Sequence, residues 1–181
     1  MTDSSFDPAG FFEFDIAHGA VRSRGGTRVL VVSEDVLAPL VKTAVANGDL
    51  TAVRILGSQL GALIGASLGA NATDNSPAEV IDHAGNTLSL FGWGRLNLER
   101  WGSALVLAVE GLPPLDEDNL AVAALLGGLF SALSSAEVAC VPVADTGKYV
   151  MVDPSIAEQV WMWAKGGDSL GAIASRLLEP S

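Results

Sequence analysis

Gly57, Gly61, Gly65 and Gly69 recur at every fourth position of the stretch LTAVRILGSQLGALIGASLGA. A spacing of four puts them on one slowly drifting stripe of a helix. Each glycine in a helix interior costs about 0.5–1 kcal/mol relative to alanine. Four on one stripe therefore imply a compensating contact, another backbone lying hard against the side that has no Cβ. The rest of the helix carries Val53, Leu56, Leu60, Leu63, Ile64 and Leu68. The same repeat packs helices in lipid, but the unbroken apolar run from Leu60 to Ala70 is far short of the roughly 20 residues a bilayer requires. Arg54 and Gln59 interrupt it on the other side. The pattern predicts a buried helix over about 50–70 in a protein without a membrane span. The four glycines are candidate interface positions, either within one subunit or between two.

Composition sharpens this reading. The 181 residues suit one domain with a real core, yet 49% are hydrophobic and only 17% charged, with a mean hydropathy of +0.39. The excess apolar surface implies an oligomer interface or an internal apolar cavity. The net charge of −11, with no basic run, excludes phosphate backbones and anionic membrane surfaces as partners. Cys140 is the sole cysteine, so no internal disulfide forms. It lies in the apolar run EVACVPV and reads as a small buried hydrophobe. The opening MTDSSFDPAG lacks the features of a signal peptide, and a cytoplasmic location is expected.

Turn and cap signals divide the chain further. Residues 1–9 read as a disordered lead-in, and 11–32 as a hairpin reversing at Arg24-Gly25-Gly26-Thr27. A helix is expected from Ser33 to about Ala46, with Pro39 in its first turn or so. Ser76-Pro77-Ala78-Glu79 is a capping box opening the next helix. That helix runs into LSLFGWGRLNLERWG, where Gly92 and Gly94 turn the chain sharply and Trp93 covers the edge of the core or the mouth of a cavity, with Arg95 and Arg100 as polar handles. Strands at about 91–99 and 103–110, an apolar helix at about 118–134, and a hairpin at about 136–143 and 148–153 follow, the hairpin turning at Ala144-Asp145-Thr146-Gly147. Two short helices close the chain. Antiparallel hairpins interleaved with helices define an α+β fold. Trp161 and Trp163, two residues apart on a helix, face different sides, so at least one is expected to meet something outside the core.

No catalytic signature is present. A zinc site needs at least three suitably spaced protein ligands, and the chain offers one cysteine with two isolated histidines, His18 and His83. Gly92-Trp93-Gly94 is only a fragment of a phosphate loop and precedes a strand instead of a helix. No metal and no cofactor are implied.

The order of these pieces resembles the 4-vinyl reductase domain family, which is akin to the TRAPP vesicle-tethering subunits. The resemblance spans roughly residues 11–153 and rests on RILGSQLGALIG, LSLFGWGRLNL, LAVAALLGGLFSAL and EVACVPVADTGKYVMV. It implies an antiparallel sheet of hairpins packed against helices over residues 10–153, and leaves the helical extension at 154–181 unaccounted for. It also implies small-molecule sensing, tetrapyrrole-related or dimerising roles, with an apolar channel in some members. Many members carry a cysteine pair around the closing hairpin. This chain has Val143 and Val150 or Met151 there, with Cys140 out of step, so neither a metal role nor reductase activity carries over. Two readings follow. The first is a non-enzymatic binding module that forms a homodimer or hetero-oligomer and acts as a protein-interaction scaffold. The alternative is a sensor or carrier of a hydrophobic small molecule, with Leu60, Ile64, Trp93 and Phe130 lining the pocket.

Overall fold

The computed structural model describes residues 10–23, 26–68, 76–143 and 147–178. Within them the fold is α+β, with two antiparallel sheets and six helices. The N-terminal segment forms strands β1 (Phe12–Asp15), β2 (Ala20–Ser23) and β3 (Arg28–Val29), paired in that order. The single reversal expected around residues 24–27 is thus joined by an earlier one at 16–19, where Gly19 adopts a φ of +60°. The lead-in at 1–9, Arg24 and Gly25, Gly69, and Ala144-Asp145-Thr146 lie outside the described residues.

Helix α1 (Glu34–Ala46) carries Pro39 in its second turn, not its first. There the missing N–H removes one helical hydrogen bond. Helix α2 (Thr51–Ser67) is the glycine-striped helix, and α3 (Pro77–Leu90) begins with the complete capping box. Strands β4 (Arg95–Trp101) and β5 (Ala104–Glu110) follow, then α4 (Leu120–Ser134) and the hairpin of β6 (Ala139–Val143) and β7 (Lys148–Val152). The larger sheet runs β4-β5-β7-β6, antiparallel throughout. A 3-10 turn at Pro154–Ile156 leads into α5 (Ala157–Lys165) and α6 (Leu170–Arg176).

The backbone that the glycine stripe requires is α4 of the same chain. A Cβ at Gly57 would strike Leu125 O, and one at Gly61 would lie 2.5 Å from Leu129 O. α4 reciprocates: a Cβ at Gly128 would strike Arg54 O, and one at Gly127 would come within 2.8 Å of the Arg54 guanidinium. Of the two placements the stripe left open, Gly57 and Gly61 take the one within the chain. Gly65 meets only Leu133 Cδ2, at 3.9 Å. Arg54 locks the pair, donating to Val138 O at 3.2 Å, Ser131 Oγ at 3.1 Å and Glu137 Oε2 at 2.6 Å.

Alternation along the strands gives the larger sheet two apolar faces. Leu96, Leu107, Val109, Cys140 and Tyr149 join the core beneath α2, α3 and α4. Ala104, Val106, Val141, Val143 and Val150 turn to the other face, against Val160, Ala164, Leu170, Ile173 and Ala174 of α5 and α6. The C-terminal helices thus complete a helix–sheet–helix sandwich, because without them five apolar strand residues would face water. Trp161 and Trp163 both lean on this second core, with Lys165 Nζ 5.1 Å over one ring and the Arg176 guanidinium 5.2 Å over the other. Both rings are half-buried, each packed on this core and partly open to solvent.

Candidate functional site

The fold brings Leu60, Ile64, Trp93 and Phe130 to one core. Ile64 and Phe130 are buried within it, and Leu60 and Trp93 are half-buried at its margin. Trp93 is placed there by the glycine corner. Gly92 and Gly94 take φ values of +79° and +89°, and the Trp93 amide donates to Leu88 O at 3.0 Å. The two glycines serve different ends. A Cβ at Gly94 would strike Glu110 O, whereas nothing lies near Gly92, whose requirement is the backbone angle alone. Arg95 and Arg100 are exposed on β4. Beside the corner, the Phe91 ring packs edge-on against Phe11 and Phe12, with centroids 6.2 and 5.5 Å away, and so ties the N-terminal sheet to this end of α3.

The same core holds polar atoms that no sequence pattern marked. Tyr149 is 1% exposed and Thr87 2%. Tyr149 OH, Thr87 Oγ1 and Asp116 Oδ1 are buried without a hydrogen-bond partner among the described residues. A buried polar atom left in this state costs about 1–3 kcal/mol, so three in one domain call for a reason. Tyr149 reaches the core because the register of β7 puts it opposite Leu107 and Pro142, on the α4 side. Asp116 is fixed by its other oxygen. Asn119, at the start of α4, has a left-handed φ of 55° and gives no side-chain cap, and Asp116 Oδ2 accepts from the Ala121 amide at 3.0 Å instead. That bond turns Oδ1 inward, beside the fully buried Leu115 and Ala121. Burial pushes the Tyr149 phenol up, and the nearby Asp116 carboxylate and Cys140 push it the same way.

Titratable groups elsewhere among the described residues show no nucleophilic arrangement. Burial pushes the Cys140 thiol up to about 12, against a smaller opposing pull from Arg54. A thiol held so firmly is a poor nucleophile. His83 Nε2 lies 2.7 Å from Ser67 Oγ, but that hydroxyl donates its proton to Ile64 O at 2.7 Å. The pair ties α2 to α3, and burial lowers the His83 pKa. His18 Nδ1 sits 2.9 Å from Asp15 Oδ2 at the exposed turn of the first hairpin. Among the described residues no cluster of three or more His, Cys, Asp or Glu could hold a metal ion. None of their helices is long and apolar enough to cross a membrane.

A solved sensory domain shares this fold. It is the phenol-responsive sensory domain of the transcription activator PoxR, crystallised with phenol. The superposition has a TM-score of 0.59 at 12% sequence identity and covers 94% of this chain and 93% of that one. At that identity the likeness concerns architecture. It also reaches the C-terminal helices, which the sequence resemblance had left unaccounted for. No family model matches the sequence, and no curated protein does either.

Proposed function

We propose that this chain is a small-molecule sensory domain whose ligand is compact and largely apolar. The observation that carries this reading is the buried, unpaired Tyr149 hydroxyl and Asp116 carboxylate oxygen at a largely apolar core. Ligand sites are mainly apolar with a few placed polar groups that fix orientation, and this core has that composition. The architecture shared with a phenol-responsive domain supports the same reading and makes phenol the first compound to try. Leu60, Ile64, Trp93 and Phe130 would provide the apolar lining. The reading is non-enzymatic, with the signal passed to a partner.

Thermal melts over a phenol titration test this. A ligand at 100 times its Kd adds about 2.7 kcal/mol, which raises the melting temperature by about 5–10 °C in a domain of this size. Phenol, cresols and catechol leaving the melt unchanged at millimolar concentration would sink the proposal.

A second reading, self-association as a scaffold, is favoured by one observation. Ile16 in the turn after β1, Leu30 and Val31 just after β3, and Val36 and Leu40 on α1 are exposed, Ile16 at 83% and Leu30 at 79%. A patch of this kind marks an interaction surface, and a second copy of the chain would cover it. Light scattering of the wild type and of a Leu30→Glu/Val31→Lys variant tests this. A dimer mass that falls to the monomer in the variant supports it, and a monomeric wild type overturns it.

A further inference from the structure

We infer that Asp116 and Tyr149 form the polar end of the ligand site and select compact molecules bearing a neutral hydroxyl group. The inference rests on the sensory reading above and adds the chemistry of the ligand's polar end. Both atoms are orphaned in the same core, one held in place by a backbone bond and the other by strand register. Asp116 Oδ2 is already committed to the Ala121 amide, which leaves Oδ1 as an acceptor facing inward. Tyr149 OH can both donate and accept. A hydroxyl between them donates to Asp116 Oδ1 and accepts from Tyr149 OH, satisfying both orphans at once.

Other polar groups fit less well. A carboxylate brings a second negative charge to Asp116 and has no proton to give. An ammonium supplies donors, but burying it with a carboxylate incurs the desolvation of two ions, several kcal/mol each. An ether or a hydrocarbon leaves Asp116 Oδ1 unpaired. A site built to hydrogen-bond a hydroxyl rejects the analogue lacking it because its own polar groups are stranded.

Tyr149→Phe removes one oxygen and keeps the ring. If the hydroxyl is unpaired in the free protein, the variant melts at or above the wild-type temperature, because a costly buried polar atom is gone. The same variant should bind phenol and anisole each about tenfold more weakly, the worth of one hydrogen bond, since either oxygen accepts from the Tyr149 hydroxyl. Wild-type protein should favour phenol over anisole at least tenfold, and Asp116→Asn, which places an amide donor where the acceptor stood, should erase that preference. Calorimetry with phenol and anisole reads each quantity. A Tyr149→Phe variant that melts below wild type would show that the hydroxyl is already partnered, and would overturn the pairing whatever the ligand. Wild type that binds phenol and anisole equally would overturn the pairing and leave the sensory reading standing. Wild type that binds neither would overturn both.

Discussion

Alanine substitutions one helical turn apart on α2 should move stability in opposite directions. A Cβ at Gly61 would lie 2.5 Å from Leu129 O and 2.9 Å from the Ala132 Cβ. Ordinary carbon–oxygen contact begins at about 3.3 Å, so α2 and α4 must part by most of an ångström. Overpacking of this kind costs about 1–3 kcal/mol, and the better helix propensity of alanine returns about 0.5–1 kcal/mol. The net loss for Gly61→Ala is about 1–2 kcal/mol, a fall of about 2–8 °C in melting temperature. At Gly65 the new Cβ meets only Leu133 Cδ2, at 3.9 Å, an ordinary contact. There the propensity gain stands alone, and Gly65→Ala should stabilise by about 0.5–1 kcal/mol. Urea unfolding read by far-UV circular dichroism gives both free energies. Variants that shift together, or a Gly61→Ala protein as stable as Gly65→Ala, would refute the claim that backbone contact organises this helix pair.

Other consequences follow from the buried groups. Cys140 should resist iodoacetamide at pH 8 in the folded protein and react at once in urea, since burial holds its thiol up at about 12; mass spectrometry reads the adduct. The same shift makes stability fall between about pH 9 and 12, where the unfolded thiol loses its proton and the folded one keeps it. His83 acts at the other end of the scale. Its folded pKa is lowered, so below about pH 6.5 the unfolded state takes up a proton that the native state refuses. The melting temperature should therefore drop on acidification, and His83→Gln should flatten that drop. Arg54→Met, which strips the donors from Val138 O and Ser131 Oγ, should cost about 1–3 kcal/mol in the same urea assay.

Much of the fold was legible because it is written in local signals. The capping box at Ser76–Glu79, the φ-demanding glycines at 92 and 94, and the alternation of β5 and β7 each act over a few residues. The glycine stripe announced a close backbone but could not name it. Its complement, Gly127-Gly128 in the middle of an apolar helix, was the signal overlooked, since two adjacent helix-interior glycines carry the same unexplained cost. The site was harder to see. Leu60, Ile64, Trp93 and Phe130 converge because apolar residues near glycine contacts tend to be core. Tyr149 and Asp116 were invisible as a pair, since they are 33 positions apart in the sequence and come near enough to influence each other electrostatically only through sheet register and a cap on α4. A lone tyrosine in KYVMV and an acid before a helix have commoner meanings. The place of the C-terminal helices was open for a related reason: sequence shows that α5 and α6 are amphipathic, not which sheet face they cover.

The central claim is that the core between the sheet and α4 takes up a small molecule at its polar atoms. Amide chemical-shift mapping with isotopically labelled protein and phenol measures this most directly. The account predicts saturable shifts concentrated at Leu107, Leu115, Asp116, Ala121, Cys140 and Tyr149. Shifts confined to the exposed N-terminal sheet and α1, or none at all up to millimolar phenol, would contradict it.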